Sequence, residues 1–580
     1  MTNIVTDLSN RKTNRVNMKN SSIKGLTLAA IAGSLAASCD LMKDVDYKIT
    51  PNPLEMHGDS IRIKADVTFP EKGIKKKASA EITPTLGGVP LKTFTVLGEK
   101  ATGNGTTIQY KPGGKVTYTD VIAYQPSFEN TDLQITGKVY KGAKEKQTIE
   151  PFTVAKGTII TPLLAKKDYK VAIIKDEFKR VLEYNQKAQI NFDKAKSNLR
   201  NGELKDKDIK DLQAWLAAAE TNAKIAIKNV NITGYASPEG EQGRNESLSS
   251  ERSETGKTAT QKIGKDAKNK ASETVAFNLV GKGEDWEGFK TELSKSSMNE
   301  DDKQLVLRVL EMYKDPVQRE TEIRNMSKTF TYLEKNVLPQ LRRAEISVVY
   351  DKTGYSDEEL VALSKSKIDT LTVEEILFTA TLTTDVNEKL RLYKESERLF
   401  PNDYRTVNNV GVALYELGKI DEAKAKFEKA NSMKQNETST NNLAAIAGVK
   451  GDRNGAKALL AKAGSSNEAK YNKGILDILD GNYGSAVSNL GKDNYNKALA
   501  QLLNGDNSAA LSTVNNSPDK ETAEGYYLKA IIAARQDKLG DIVDNLKNAF
   551  AKDASLKAKA LKDMEFYKYA ENAAFTAIVK

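Results

Sequence analysis

The stretch 231–252, NITGYASPEGEQGRNESLSSER, passes from alternating β-type residues through a Pro/Gly turn into a polar helical segment. Within it Asn245, Leu248, Ser249 and Arg252 fall at i, i+3, i+4 and i+7, on one face of a helix. Leu248 is placed to pin that face to a sheet, and Arg252 to project from it toward the turn. A helix N-terminus carries unpaired N–H groups and partial positive charge, and an arginine fork can grip a carboxylate with two parallel hydrogen bonds. Strand, tight turn and helix start, with an arginine two turns on, are the parts of an anion cradle.

The flanking sequence supplies a sheet for that cradle. AQINFD (188–193) reads as a strand, and DKDIKDLQAWLAAAE (206–220) carries apolar residues at helical spacing. IAIKNVNITGY (225–235) and TVAFNLVGKG (274–283) read as further strands, and a largely helical stretch, about 285–340, precedes a last strand, AEISVVY (344–350). Strands alternating with helices over 168–352 predict a sheet with helices packed on one face.

Residues 185–350 resemble the OmpA C-terminal-like family, which binds peptidoglycan in the periplasm. Asn245, Leu248, Ser249 and Arg252 match its N-x-x-L-S-x-x-R, and LRRAEISVVY (341–350) matches its closing arginine pair and final strand. GKGEDWEGF (281–289) and the helices after it resemble an insertion of a Bacteroidetes-type variant. The resemblance implies that Arg252 and Asn245 contact peptidoglycan, with a stem-peptide carboxylate as ligand. Where the family has an aspartate that meets the diaminopimelate ammonium, this chain has Ser237. Glu239, in the same loop, either substitutes for it or is a solvated turn residue. Arg252 has an alternative too, a structural salt bridge with a neighbouring acid.

At 580 residues the chain is too long for one core. Residues 39–165 alternate polar and apolar side chains in SIRIKADVTF (60–69), ASAEITPTL (78–86), TTIQY (106–110), KVTYTDVIAY (115–124) and DLQITGKVY (132–140), separated by PEKG, TGNG and KPGG turns. That pattern predicts a small antiparallel β-sandwich. Residues 355–580 are helical and repetitive. In Tyr404–Glu437 two helices join at Gly418, with Gly411, Ala423 and Ala430 where they approach closely and Leu414 and Phe427 filling the space between. This unit resembles the tetratricopeptide (TPR) repeat, whose period is about 34 residues. Later turns, VKGDRNGA (449–456), LDGNYGSA (479–486) and LNGDNSAA (503–510), recur at shorter, irregular spacing, so a degenerate solenoid is expected, with a concave face suited to an unidentified protein partner.

The first residues predict a compartment. MKNSSIKGLTLAAIAGSLAASC (18–39) has a basic start, an apolar stretch too short to span a bilayer, and small residues before Cys39. AASC resembles the lipobox of bacterial lipoproteins, and its cysteine is the chain's only one. The resemblance implies a signal peptide over 1–38, with Met18 an alternative start, and a lipidated Cys39 held in outer-membrane lipid, with the periplasm as the expected side. Acidic residues after the cysteine, in CDLMKDVD (39–46), leave surface display open.

Composition excludes several chemistries. One cysteine and one histidine cannot furnish a zinc site, which needs about four such ligands. His57, beside a glycine in a turn, is expected to be an ordinary surface residue, which leaves no Ser-His or Cys-His pair. The net charge of +10 is dispersed, without the interleaved aromatics of a nucleic-acid platform. The expectation is a non-catalytic protein without cofactor or metal. It would tether membrane to peptidoglycan and recruit a protein through its repeats. The alternative is an accessory scaffold of an outer-membrane assembly, transport or secretion complex whose OmpA-like domain no longer binds the wall.

Overall fold

The structure, a computed structural model, describes residues 41–200 and 202–580; Cys39 and the signal segment lie outside the described residues. Two compact units are formed, one from residues up to Lys166 with Gly474–Lys580, the other from Lys167–Lys473. The helical region is thus divided between them.

In the first unit, strand Ser60–Phe69 pairs antiparallel with Gly114–Ala123 on one side and with Asp46–Thr50 and Met56–His57 on the other. A second sheet runs in the order Lys144–Gly157, Thr131–Lys141, Ala78–Leu86, Phe94–Gly98, Thr106–Ile108. Alternate residues such as Ile61, Ile63, Ala65, Val67 and Phe69 are buried against Ala80, Ile82, Leu133 and Ile135 of the other sheet, so the period-two pattern becomes a two-sheet core. The strands Asp46–Thr50, Phe94–Gly98 and Lys144–Gly157, not anticipated from the sequence, complete the sheets.

His57 is a correction. It is half-buried, its ring edge-on to Tyr483 at 4.9 Å, and the Tyr483 hydroxyl accepts from Gly58 N at 3.2 Å. Burial, with the charge of Arg62, holds its imidazole below the usual range. The same unit ties Glu55 to Arg535 at 2.7 Å and Arg535 to Glu565 at 2.6 Å, and the Thr161 hydroxyl donates to Glu565. The sandwich and the last helices therefore share a buried polar seam.

In the second unit a four-stranded mixed sheet runs Val181–Asn191, Arg343–Thr353, Ile225–Ala236, Ala276–Glu284. The last two are parallel and the other pairs antiparallel. Helices Lys207–Glu220 and Gln242–Asp266 cover one face, where Leu212, Leu216, Ala259 and Ile263 pack on Ile190, Val230, Ile232, Ile346 and Val348. The other face carries polar rungs, Asn278 to Asn231 and Ser347 to Asn185. Helices between Trp286 and Leu341 form a separate small core around Phe289, Leu293, Val306, Leu310 and Leu333.

Beyond Asp357 the described chain is helical. Helix pairs Tyr404–Glu416/Ile420–Met433, Glu437–Val449/Arg453–Leu460, Asn467–Leu479/Tyr483–Asn489, Tyr495–Leu503/Asn507–Asn516 and Ala523–Arg535/Leu539–Lys552 follow one another. Gly418, Gly451, Gly481 and Gly505 sit at the turn inside the first four pairs with φ between +73° and +88°, a conformation glycine adopts without penalty. Asp537 takes the same place at φ 56° in the fifth. The region is a TPR-like array of helix pairs.

Candidate functional site: an arginine cage and an asparagine-lined groove

Strand Ile225–Ala236 and helix Gln242–Asp266 approach so closely that a Cβ on Gly234 would lie 1.9 Å from the Ser249 carbonyl oxygen. The glycine of ITGY is therefore a packing requirement. Leu248, on the same helix, is buried. Ser249 fastens the helix to the next strand, its Oγ accepting from Gly283 N at 2.9 Å and donating to Glu246 O at 2.8 Å.

Arg252 is 1% exposed. Its Nη1 donates to Tyr235 O at 2.8 Å, Nε to Lys196 O at 3.1 Å and Nη2 to Asp193 O at 3.3 Å, and the guanidinium lies 5.3 Å from the Phe192 ring centre. It clasps the loop after the first strand of the sheet to the end of the third. Burial, reinforced by the charge of Arg342 and opposed by Glu239, lowers its pKa to about 10, so it remains charged at neutral pH. Its hydrogen bonds go to main-chain carbonyls, so in this conformation the guanidinium is engaged by backbone and not by a neighbouring acid.

Glu239 points inward. The turn at Pro238 leaves its side chain 7% exposed, so the solvated-turn alternative is overturned. The Ser237 hydroxyl donates to its Oε1 at 2.6 Å, and Arg342 Nε donates to the same oxygen at 2.8 Å. Arg342 Nη2 approaches Oε1 at 2.7 Å without hydrogen-bond alignment, and among the described residues Oε2 has only Lys194 Nζ, at 3.4 Å. Arg324 holds the Glu239 carbonyl at 2.9 Å. Asn245 donates to Gly240 O at 3.3 Å and Glu284 Oε1 at 2.9 Å, closing the loop from below. Ser237, Glu239, Arg252 and Asn245 are thus brought together, with Arg342, Lys194 and Arg324 added. A cage of positive charge surrounds one carboxylate, and that carboxylate belongs to the chain itself.

The predicted repeat-packing residues lie in the helical core. Leu414, Ala423, Phe427 and Ala430 are buried, and a Cβ on Gly411 would meet the Phe427 ring at 2.6 Å.

A second site went unread in the sequence. In the second unit, residues 169–174 run extended along the first helices of successive pairs. Asn472 accepts from Lys170 N at 2.6 Å and donates to Lys170 O at 2.8 Å. Asn442 does the same with Ala172, 2.8 Å each way, and Asn409 with Ile174 at 2.8 and 3.0 Å. Asn408 and Asn441 add donors to the carbonyls of Ala172 and Lys170 at 3.1 Å. Within the first unit Asn496 pairs identically with Lys166, at 2.8 and 2.9 Å. Odd residues face the other way: Tyr169 is buried over Gly448, and Val171 and Ile173 pack on the helical core. A signal existed. An asparagine stands at one fixed offset before each turn glycine (409 and 418, 442 and 451, 472 and 481, 496 and 505), and in two pairs the preceding residue is asparagine as well.

No family model and no curated protein sequence matches the chain. Among solved structures it is similar to the APC/C hetero-tetramer Cut9–Hcn1, at 12% identity and TM-score 0.31, over 37% of this chain and 45% of that one. It is also similar to a tetratricopeptide repeat protein from Parabacteroides merdae, at 17% identity and TM-score 0.27 over 36% of this chain and 91% of that one. A third is YrrB, described as a TPR protein with an unusual peptide-binding site, at 17% identity and TM-score 0.21, over 36% of this chain and all of that one. The chain thus spans less than half of the Cut9–Hcn1 chain it matches.

Proposed function

We propose that this protein is a non-catalytic, lipid-anchored scaffold of a bacterial outer-membrane assembly, facing the periplasm, whose OmpA-like domain has exchanged ligand binding for a structural role. The observation that carries the reading is Glu239. Its carboxylate sits among Arg342, Lys194 and Arg252 where a stem-peptide carboxylate would be sought, and with Arg342 it forms a buried, hydrogen-bonded pair. A wall peptide would have to displace a tethered carboxylate and desolvate its own. The anchor rests on the AASC motif at Cys39, and recruitment of other proteins rests on the TPR-like array.

Co-sedimentation with purified sacculi tests the wall half: the intact protein is expected in the supernatant at physiological salt. Palmitate labelling in cells, lost in Cys39→Ala, tests the anchor. A second reading, the membrane-to-wall tether, is favoured by one detail: Glu239 Oε2 has no aligned donor among the described residues, which leave the cage unsaturated by its occupant. Retention on sacculi that free stem peptide competes away would establish the tether and overturn the scaffold reading.

A further inference from the structure

We propose that the asparagine-lined face of the helix pairs is a receptor for the main chain of an extended peptide, and that this protein keeps it filled with its own residues 169–174. The inference is independent of the wall and membrane readings.

A primary carboxamide offers one acceptor and two donors. Asn472, Asn442 and Asn409 each direct both kinds at a single residue, which is how a neighbouring β-strand addresses its partner. The residues addressed are 170, 172 and 174, every second one, as the pleat of an extended chain demands. These bonds reach only the main chain, so they read positions 170, 172 and 174 without regard to side chain but exclude proline; Lys170 adds a contact of its own, its Nζ 5.1 Å from the Tyr471 ring centre. Selectivity falls on the odd positions. Tyr169 occupies a notch open only because residue 448 has no Cβ, which would stand 2.5 Å from its ring. Ile173 borders a cleft of ≈ 150 Å³ shared with Ala380, Tyr393, Val412 and Ala413. The occupant therefore fits imperfectly at that position, and a larger side chain would fill it better.

The five asparagines 408, 409, 441, 442 and 472 are at most 1% exposed. With the groove empty their carboxamides would lose the peptide groups they bond, which disfavours an empty groove and favours exchange of one extended segment for another. The ligand this geometry fits is an extended peptide with an aromatic residue, then apolar residues two and four positions on, and no proline at the positions between or directly after them. The tethered segment competes at high effective concentration. An outside peptide therefore enters only when residues 169–174 lift off.

The test is fluorescence anisotropy with a labelled peptide of residues 166–178 and the full-length protein. Ala172→Pro removes the N–H that Asn442 accepts, and is expected to bind the peptide at least tenfold more tightly than the unaltered chain. Adding Asn442→Ala and Asn472→Ala should abolish that binding. A peptide with serine at 172 and alanine at 174 should bind as well as the parent, one with proline at 170 and 172 should not, and Phe at 173 should tighten binding. Equal binding to the unaltered chain and to Ala172→Pro, or binding that survives loss of the asparagines, overturns the proposal. Hydrogen exchange on the unaltered chain needs no variant: the amides of 170, 172 and 174 should be protected relative to the free peptide. Exchange as fast as the free peptide overturns the proposal as well.

Discussion

Glu239→Gln isolates the charge that fills the arginine cage. The substitution keeps the shape of the side chain and its capacity to accept from Ser237 and from Arg342 Nε, at present 2.6 and 2.8 Å away. What it removes is the negative charge facing Arg342, whose side chain is 9% exposed, with Lys194 3.4 Å from the second oxygen and buried Arg252 nearby. Breaking a buried pair by neutralising one partner costs about 3–5 kcal/mol. Because glutamine retains acceptors, the lower end, about 3 kcal/mol, is expected, roughly two orders of magnitude in the local folding constant. The assay is selective. The chain's two tryptophans, Trp215 and Trp286, both belong to the 168–352 region, so their emission during urea unfolding reports that region alone. With an m-value of about 2 kcal/mol/M the midpoint should fall by about 1.5 M. Combining the change with Arg342→Met should cost much less than the sum, because the orphaned charge is removed as well. A loss below about 1 kcal/mol, or simple additivity of the two changes, would refute the view that Glu239 is the cage's structural counter-charge.

Four further outcomes are expected. Acetate should raise the unfolding midpoint of Glu239→Ala but not of the unaltered chain, read by the same tryptophan emission, because only the variant leaves the cage empty. Gly411→Ala should destabilise the helical array by about 1–3 kcal/mol by circular dichroism, since its Cβ would stand 2.6 Å from the Phe427 ring. Gly448→Ala should expose Tyr169 and speed exchange at the Lys170 and Ala172 amides, read by hydrogen-exchange mass spectrometry. Glu397 gives a pH signature. Burial pushes its carboxyl up, but hydrogen bonds from Lys426 and Lys429 outweigh that and hold it below its ordinary value of 4.5. A depressed carboxylate stabilises above its unfolded pKa, and the benefit is lost as pH falls through the folded value. The stability gap between the unaltered chain and Glu397→Gln should therefore be full at pH 6–7 and close progressively below about pH 4.5, followed by thermal unfolding.

How much of this was legible depended on the range of the interaction. The alternation in SIRIKADVTF and ASAEITPTL gives strands at Ser60–Phe69 and Ala78–Leu86, because burial of one face is written at a period of two. The apolar spacing of 206–220 gives helix Lys207–Glu220 for the corresponding reason at a period of 3.6. Strand Lys144–Gly157 was missed because its mostly exposed, Lys- and Glu-rich first half lacks that alternation, and its pairing with Thr131–Lys141 is what makes it a strand. His57 was misjudged for a related reason: the glycine beside it marks a turn, and Tyr483, which covers it, lies far along the chain.

By itself the sequence determined the strands and helices whose burial is periodic, that a strand–turn–helix with Arg252 on its inner face exists, and that helix pairs turn at recurring glycines. These follow from local periodicity and backbone preference, which need no knowledge of distant residues. Only the tertiary structure decided that Arg252 bonds main-chain carbonyls while Glu239 turns inward, since loop direction is set by Arg342 and Lys194, one from each side of the helical segment. It also decided that the asparagine rows hold residues 169–174, since a carboxamide finds whichever peptide group the packed helices bring within hydrogen-bond reach.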